Sequence, residues 1–121
     1  MRFAGQIPNE QLKQWYSAAD ILALCSSREG WANVLLESMA CGTPVVATNI
    51  WGTPEVVACP SAGVLMKRRD APSLVEAANS LYASVPRREE TRGYAEKFSW
   101  EATTSGQMTI FRNIVTERNA A

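Results

Sequence analysis

The stretch Ser26-Ser27-Arg28-Glu29-Gly30-Trp31-Ala32-Asn33-Val34-Leu35-Leu36-Glu37-Ser38-Met39-Ala40-Cys41-Gly42-Thr43-Pro44-Val45-Val46-Ala47 carries the chain from one strand, through a helix, into the next strand. Just before it, Ile21-Leu22-Ala23-Leu24-Cys25 is a continuous apolar run, the pattern of a strand covered on both faces. A helix is expected at about 31–41, stopped by Gly42, with Pro44-Val45-Val46-Ala47 as the next buried strand. Strand, helix, strand in that order implies parallel strands joined by right-handed crossovers. The fold class is therefore α/β, a Rossmann-like open parallel sheet with helices on both faces. Such sheets bind ligands beyond the carboxyl ends of their strands. Loops 26–33 and 48–53 both lie at that edge.

Outward from this stretch the same alternation continues. Residues 1–5 read as the tail of a strand. Asn9 is placed to cap a helix in which Leu12, Trp15, Tyr16 and Ala19 recur at helical spacing. Thr53 to Val57 is expected to form a short helix with Pro54 in its first turn, where the missing amide does no harm. Gly63-Val64-Leu65-Met66 reads as a last, shorter strand. Residues 71–84 read as an amphipathic helix with Leu74, Val75, Ala78 and Leu81 on one face, and Ser73 and Glu76 have capping-box spacing. Residues 87–97 form another helix. Ser99 caps a final one, with Met108, Phe111 and Val115 as its apolar stripe. The expected organisation is one partial domain over 1–121: a strand and helix core with the site loops at 1–66, and C-terminal helices at 67–121.

Composition excludes several function classes. The chain has 121 residues, enough for one core, and 46% of them are hydrophobic, as in an ordinary globular protein. Twelve basic and twelve acidic residues cancel, so no nucleic-acid footprint is expected. Lys67-Arg68-Arg69, followed at once by Asp70, reads as a solvated turn. There is no histidine, which removes Ser-His-Asp and Cys-His catalysis and the commonest metal ligand. Cys25, Cys41 and Cys59 form no CxxC pair, so neither a zinc site nor a redox pair is indicated. Three reduced, mostly buried thiols in a cytoplasmic protein is the expectation. No apolar run approaches the ~20 residues of a membrane span, and no signal-peptide pattern opens the chain.

A helix that starts near Gly30 to Asn33 presents unpaired amides and the positive end of its dipole. A diphosphate is a natural ligand there. Gly30 lets a ligand approach the backbone closely. Glu37, one to two turns in, is a carboxylate able to accept the vicinal hydroxyls of a ribose. Glu29, before the helix, faces a sugar on the far side of the diphosphate. Each residue also has a plainer reading. Glu37 alone is a solvated helix residue, and Glu29 alone is an acid complementing the dipole. Ser26 and Ser27 cap the local turn as readily as they bind phosphate. Trp31 reads as core or pocket wall. Glu55 is either a ligand-loop residue or a short-helix surface acid. Trp51, aromatic at a loop tip, marks a contact or an idiosyncratic loop.

These residues resemble the E-x7-E signature of glycosyltransferase family 4, retaining enzymes of the GT-B fold. Further blocks are similar to family elements in family order: Phe3-Ala4-Gly5, Tyr16-Ser17-Ala18-Ala19-Asp20, Gly42-Thr43-Pro44-Val45-Val46, Gly52-Thr53-Pro54-Glu55 and Phe98-Ser99-Trp100. The resemblance implies that Glu29 is the catalytic acid facing the donor sugar and that Glu37 takes the ribose. It implies donor contacts by Gly30, Trp31, Ala32, Asn33 and Val34, with loop contacts from Ser27, Gly52 and Glu55. No metal and no other cofactor is implied, since the nucleotide-diphosphate sugar is a substrate. Three departures stand out: Trp31-Ala32 where phenylalanine-glycine is usual, Trp51 in place of the first of two glycines, and Cys25 in place of a proline. A φ above zero at Trp51 would be strained.

The resemblance further implies that the chain is the C-terminal part of a donor-binding domain, inert alone. Its parent would move a hexosyl group to a glycan, lipid or small-molecule acceptor held by an N-terminal domain. Self-association through an exposed sheet edge is expected, as is a cytoplasmic location, peripheral at the inner membrane face in the parent. A nucleotide-sugar epimerase, a glycogen-synthase-like enzyme and a non-catalytic α/β interaction module remain alternatives.

Overall fold

In the computed structural model, which describes residues 1–120, three parallel strands form one sheet in the order β1 (Leu22–Leu24), β2 (Val45–Thr48), β3 (Gly63–Met66). Leu22 lies opposite Val45, and Val45 opposite Gly63, so all three strands end on one edge. The helices are α1 (Asn9–Ala18), α2 (Asn33–Ala40), α3 (Thr53–Val56), α4 (Ala71–Ala83), α5 (Arg88–Ala95) and α6 (Trp100–Ala120). No helix among the described residues is long and apolar enough to cross a membrane.

Alternation along β2 builds the two sides of the core. Val45 and Ala47 join Leu35 and Met39 of α2, Val56, Val57, Ala62 and Ala95 in one cluster. Val46 turns the other way, onto Met66, Ala77 and Leu81. The sheet is thus covered on both faces, and each fully buried Val or Leu contributes about 1.5–3 kcal/mol. β2 is buried along its whole length. β1 is not, contrary to its apolar run: Ala23 is exposed and Leu22 and Leu24 are half-buried, and among the described residues β1 pairs with β2 alone, at the edge of the sheet.

The C-terminal end of α2 is closed by its own turn, which takes up the carbonyls of Glu37, Ser38 and Met39. Gly42, at φ +80°, donates to the Met39 carbonyl at 2.8 Å, and Thr43 donates to the Ser38 carbonyl at 3.0 Å. That is the bond pattern of a Schellman motif. The Ser38 hydroxyl adds a bond to the Thr43 carbonyl. The Thr43 hydroxyl donates to the Tyr16 carbonyl at 2.6 Å, and Arg88 donates to both the Thr43 hydroxyl and the Ala19 carbonyl.

Several local expectations are corrected. Residues 1–5 form no strand, since no described strand lies beside them to complete a ladder, and Phe3 is exposed. Pro8 rather than Asn9 stands at the N-cap of α1, with no side-chain cap bond. α4 is capped by Asp70, which accepts the Ser73 amide at 2.8 Å and whose carboxyl is thereby held below the usual range. Ser73 is therefore a buried residue of the first turn, not a cap, and Glu76 pairs with Lys67 instead. The inward line of α4 is Ser73, Ala77 and Leu81, which leaves Val75 exposed. Cys25 is exposed and Cys41 and Cys59 are half-buried, so none fills the core. Lys67-Arg68-Arg69 is the expected solvated turn, with Arg68 on Asp70 and Arg69 on the Cys25 carbonyl. In α6, Met108, Phe111 and Val115 are all exposed.

Candidate functional site

The two loops that leave β1 and β2 are clamped together at the carboxyl edge of the sheet. The Thr48 hydroxyl, at the end of β2, donates to the Ser26 carbonyl at 2.8 Å. Further along, Gly52 lies so close to the first loop that a Cβ on it would stand 2.5 Å from the Gly30 carbonyl oxygen. Gly52 is required by packing. Gly30 is not: a Cβ there would meet nothing within 4 Å, so the space beside it is open.

Past Gly30 the chain enters α2 through a tight turn. Ala32, at φ −77° and ψ 78°, forms an inverse γ-turn in which Asn33 donates to the Trp31 carbonyl at 2.9 Å. Leu35 donates to the Ala32 carbonyl. No side chain caps this end. Among the described residues, the amides of Gly30, Trp31, Ala32 and Val34 meet no acceptor. With the helix dipole behind them, they form a concentrated set of donors for an anion.

Side chains around these amides are fixed from the protein side. The Ala32 methyl is buried in the core cluster, so the departure from glycine adds no bulk toward a ligand. Trp31 is half-exposed and packs on Phe98 with ring centroids 6.0 Å apart, and Phe98 packs edge-on against Tyr94 at 5.3 Å. Tyr94 donates to the Val56 carbonyl and so ties this aromatic row to α3. Trp31 thus flanks these amides with Phe98 as its support.

The two acids behave differently. Glu29 is half-buried, and among the described residues the ion pairs lie elsewhere, on Lys67–Glu76, Arg68–Asp70, Arg87–Glu90 and Arg92–Glu96. Glu37 is exposed and accepts a hydrogen bond from the Tyr16 hydroxyl at 3.3 Å. Burial pushes the Tyr16 phenol above its ordinary range, and the Glu37 charge adds to the shift. Ser27 and Asn33 are exposed at the same edge and Val34 is half-buried. Glu55 is exposed in the first turn of α3. The Thr53 hydroxyl is buried with no partner.

Trp51 sits at φ +43° and its ring is exposed. Thr53 donates to the Ile50 carbonyl at 2.9 Å, closing a turn with Trp51 and Gly52 at its centre. A positive φ at the first central residue followed by φ −76° at Gly52 is the sign pattern of a type II′ turn, whose first central position favours glycine. The expected strain is therefore present.

Sequence reasoning missed three supporting residues. Thr48 read only as the first residue of loop 48–53, although a hydroxyl beside a buried strand needs a partner. Tyr16 read as a helix-stripe residue and as part of a family-like block, without its bond to Glu37, although a buried phenol seeks an acceptor. Phe98 stood only as part of a closing block.

Comparison with known proteins places this geometry. The sequence model described as "Glycosyl transferases group 1" matches residues 1–98. The chain is 34% identical over 120 residues to a D-inositol 3-phosphate glycosyltransferase of Corynebacterium urealyticum, covering 96% of this chain and 28% of that protein. It is 38% identical over 110 residues to the same-named enzyme of Segniliparus rotundus, covering 87% and 24%. The structure matches a sucrose-phosphate synthase from Thermosynechococcus elongatus with a TM-score of 0.78 and 30% identity, over 96% of this chain and 30% of that one. The chain thus spans less than a third of the length of these relatives.

Proposed function

The chain belongs to the group 1 glycosyl transferases, and we propose that it forms the donor site of a retaining hexosyl transfer from a nucleotide-diphosphate sugar. The observation that carries this reading is the open N-terminal end of α2, with four unpartnered amides between Glu29 and Glu37. The diphosphate sits on the amides of Gly30, Trp31, Ala32 and Val34. As the sugar departs, negative charge grows on the diphosphate, and donors fixed beforehand stabilise that charge without reorganising. Glu29 accepts hydroxyls of the transferred sugar and is the catalytic residue of this half. Glu37 accepts ribose hydroxyls. No metal is required in this scheme, because the helix end supplies the positive potential.

The acceptor, a glycan, lipid or small molecule, is proposed to be met by parts that the relatives have and these residues do not cover. The chain by itself is therefore expected to bind donor without transferring sugar. Amide NMR of the labelled chain, with UDP, GDP and ADP added in turn, tests the site. Shifts are expected in 29–37 and in loop 48–55, unchanged by EDTA. Glu29→Ala and Glu37→Ala each weaken binding of the matching nucleotide sugar by about 1.5–3 kcal/mol, the cost of a hydrogen bond to a charged group. A well-folded spectrum that no nucleotide perturbs removes the donor-site reading.

A further inference from the structure

We propose that Tyr16 is a positioning residue for the donor ribose, holding the Glu37 carboxylate so that α1 as well as α2 selects a ribonucleotide. This rests on the donor-site reading above. Tyr16 is 8% exposed on α1, and its hydroxyl donates to Oε2 of Glu37 at 3.3 Å across the α1–α2 contact. Glu37 is exposed, and a free glutamate side chain loses rotamer entropy when a ligand fixes it. One bond from the phenol restricts it beforehand and still leaves acceptor sites on the carboxylate for two vicinal hydroxyls.

The phenol is itself held. The Tyr16 carbonyl accepts from the Thr43 hydroxyl at 2.6 Å, and Arg88 donates to Thr43 at 3.3 Å and to the Ala19 carbonyl at 2.7 Å. A continuous set of bonds therefore runs from α5, through the closed end of α2, to Glu37. Burial keeps the phenol protonated across the neutral range, so it remains a donor. Phenylalanine would fill the same volume, and the hydroxyl adds the bond to Glu37.

The test measures the affinity of the full chain for whichever of UDP, GDP or ADP binds tightest, and for its 2′,3′-dideoxy counterpart. Tyr16→Phe is expected to weaken the ribonucleotide about fivefold, the loss of one net hydrogen bond, and the dideoxy form by less than about twofold. In a Glu37→Ala background, which removes the acceptor of the Tyr16 hydroxyl, Tyr16→Phe should have no further effect, as for two groups acting through one interaction. The side-chain carboxyl carbon shift of Glu37 should also move in Tyr16→Phe without nucleotide. Equal losses for both nucleotides, or an unmoved Glu37 carboxyl, overturn the positioning role and leave the donor site standing. Absence of binding of either nucleotide to the unsubstituted chain overturns both.

Discussion

The two ends of α2 have the same backbone problem and opposite solutions. Every α-helix leaves orphan amides at one end and orphan carbonyls at the other. At the C-terminal end, the amides of Cys41, Gly42 and Thr43 take up the carbonyls of Glu37, Ser38 and Met39, the Ser38 hydroxyl bonds the Thr43 carbonyl, and Tyr16 and Arg88 lock the turn in place. At the N-terminal end no side chain caps, and the amides from Gly30 to Val34 are left facing the sheet edge apart from Asn33. The open end is nevertheless held in shape by Thr48 on Ser26, Gly52 on Gly30 and Phe98 on Trp31. A terminus that the protein supports but does not satisfy is one prepared for a partner from outside.

The two glycines at the open end give the sharpest way to break this comparison. Gly52→Ala places a methyl 2.5 Å from a backbone oxygen that cannot yield by rotating a side chain. Separating the two loops is expected to cost about 1–3 kcal/mol of stability, the usual range for overpacking, and to abolish the nucleotide-induced shifts. Gly30→Ala adds its methyl to open space, at a backbone conformation outside the left-handed region. Its stability should stay within about 0.5 kcal/mol of the unsubstituted chain, while nucleotide affinity falls because the methyl occupies the ligand's space. Chemical denaturation and nucleotide titration on the same two variants separate these effects. A Gly30→Ala chain that binds as before would mean that no ligand approaches there.

At the closed end the pattern reverses. Gly42 lies at φ +80°, and a Cβ on it would be 2.9 Å from the Arg88 Cβ and 3.1 Å from the Arg88 carbonyl oxygen. Gly42→Ala is expected to cost about 1–2 kcal/mol for the left-handed backbone alone, with further loss if α5 must shift. Nucleotide affinity, measured on the folded fraction, should fall by less than the roughly fivefold loss of Tyr16→Phe, because the Tyr16–Glu37 bond remains while its support from Thr43 and Arg88 is loosened.

Much of this was legible in the sequence because it depends on local pattern. Gly42 before Pro44 fixed the end of α2, the apolar run at 44–47 marked β2 as a buried strand, and the acids at 29 and 37 bracket the open helix end. What was not legible depends on distant partners. The apolar run at 21–25 could not reveal that, among the described residues, β1 has a neighbour on one side only. Phe3-Ala4-Gly5 has strand composition, but a ladder needs a second strand. Ser73 and Glu76 have the spacing of a cap, yet Asp70 accepts the Ser73 amide first and Lys67 draws Glu76 away. Ala32 stands where the family has glycine, and only the fold shows that its side chain packs in the core. At the site itself, the bonds from Thr48 to Ser26 and from Tyr16 to Glu37 span 22 and 21 positions. No short motif encodes them.

The smallest expected effect concerns Trp51, where strain lies in the clamp rather than in the amides it holds. A non-glycine residue at φ +43° carries about 1–2 kcal/mol of left-handed strain. Its ring is 67% exposed, so little burial compensates. Trp51→Gly removes the strain but adds about 0.5–1 kcal/mol of backbone entropy on folding. The net gain is therefore about 0.5–1 kcal/mol, read as a Tm higher by a few degrees. Nucleotide affinity should be unchanged, because the amides of Gly30 to Val34 belong to the other loop and the bond from Thr53 to the Ile50 carbonyl needs no side chain at 51. A lower Tm would mean that the ring packs on the loop more than its exposure indicates. A higher Tm with lost affinity would place the ring on the ligand, and the open end of α2 would then extend into a second loop.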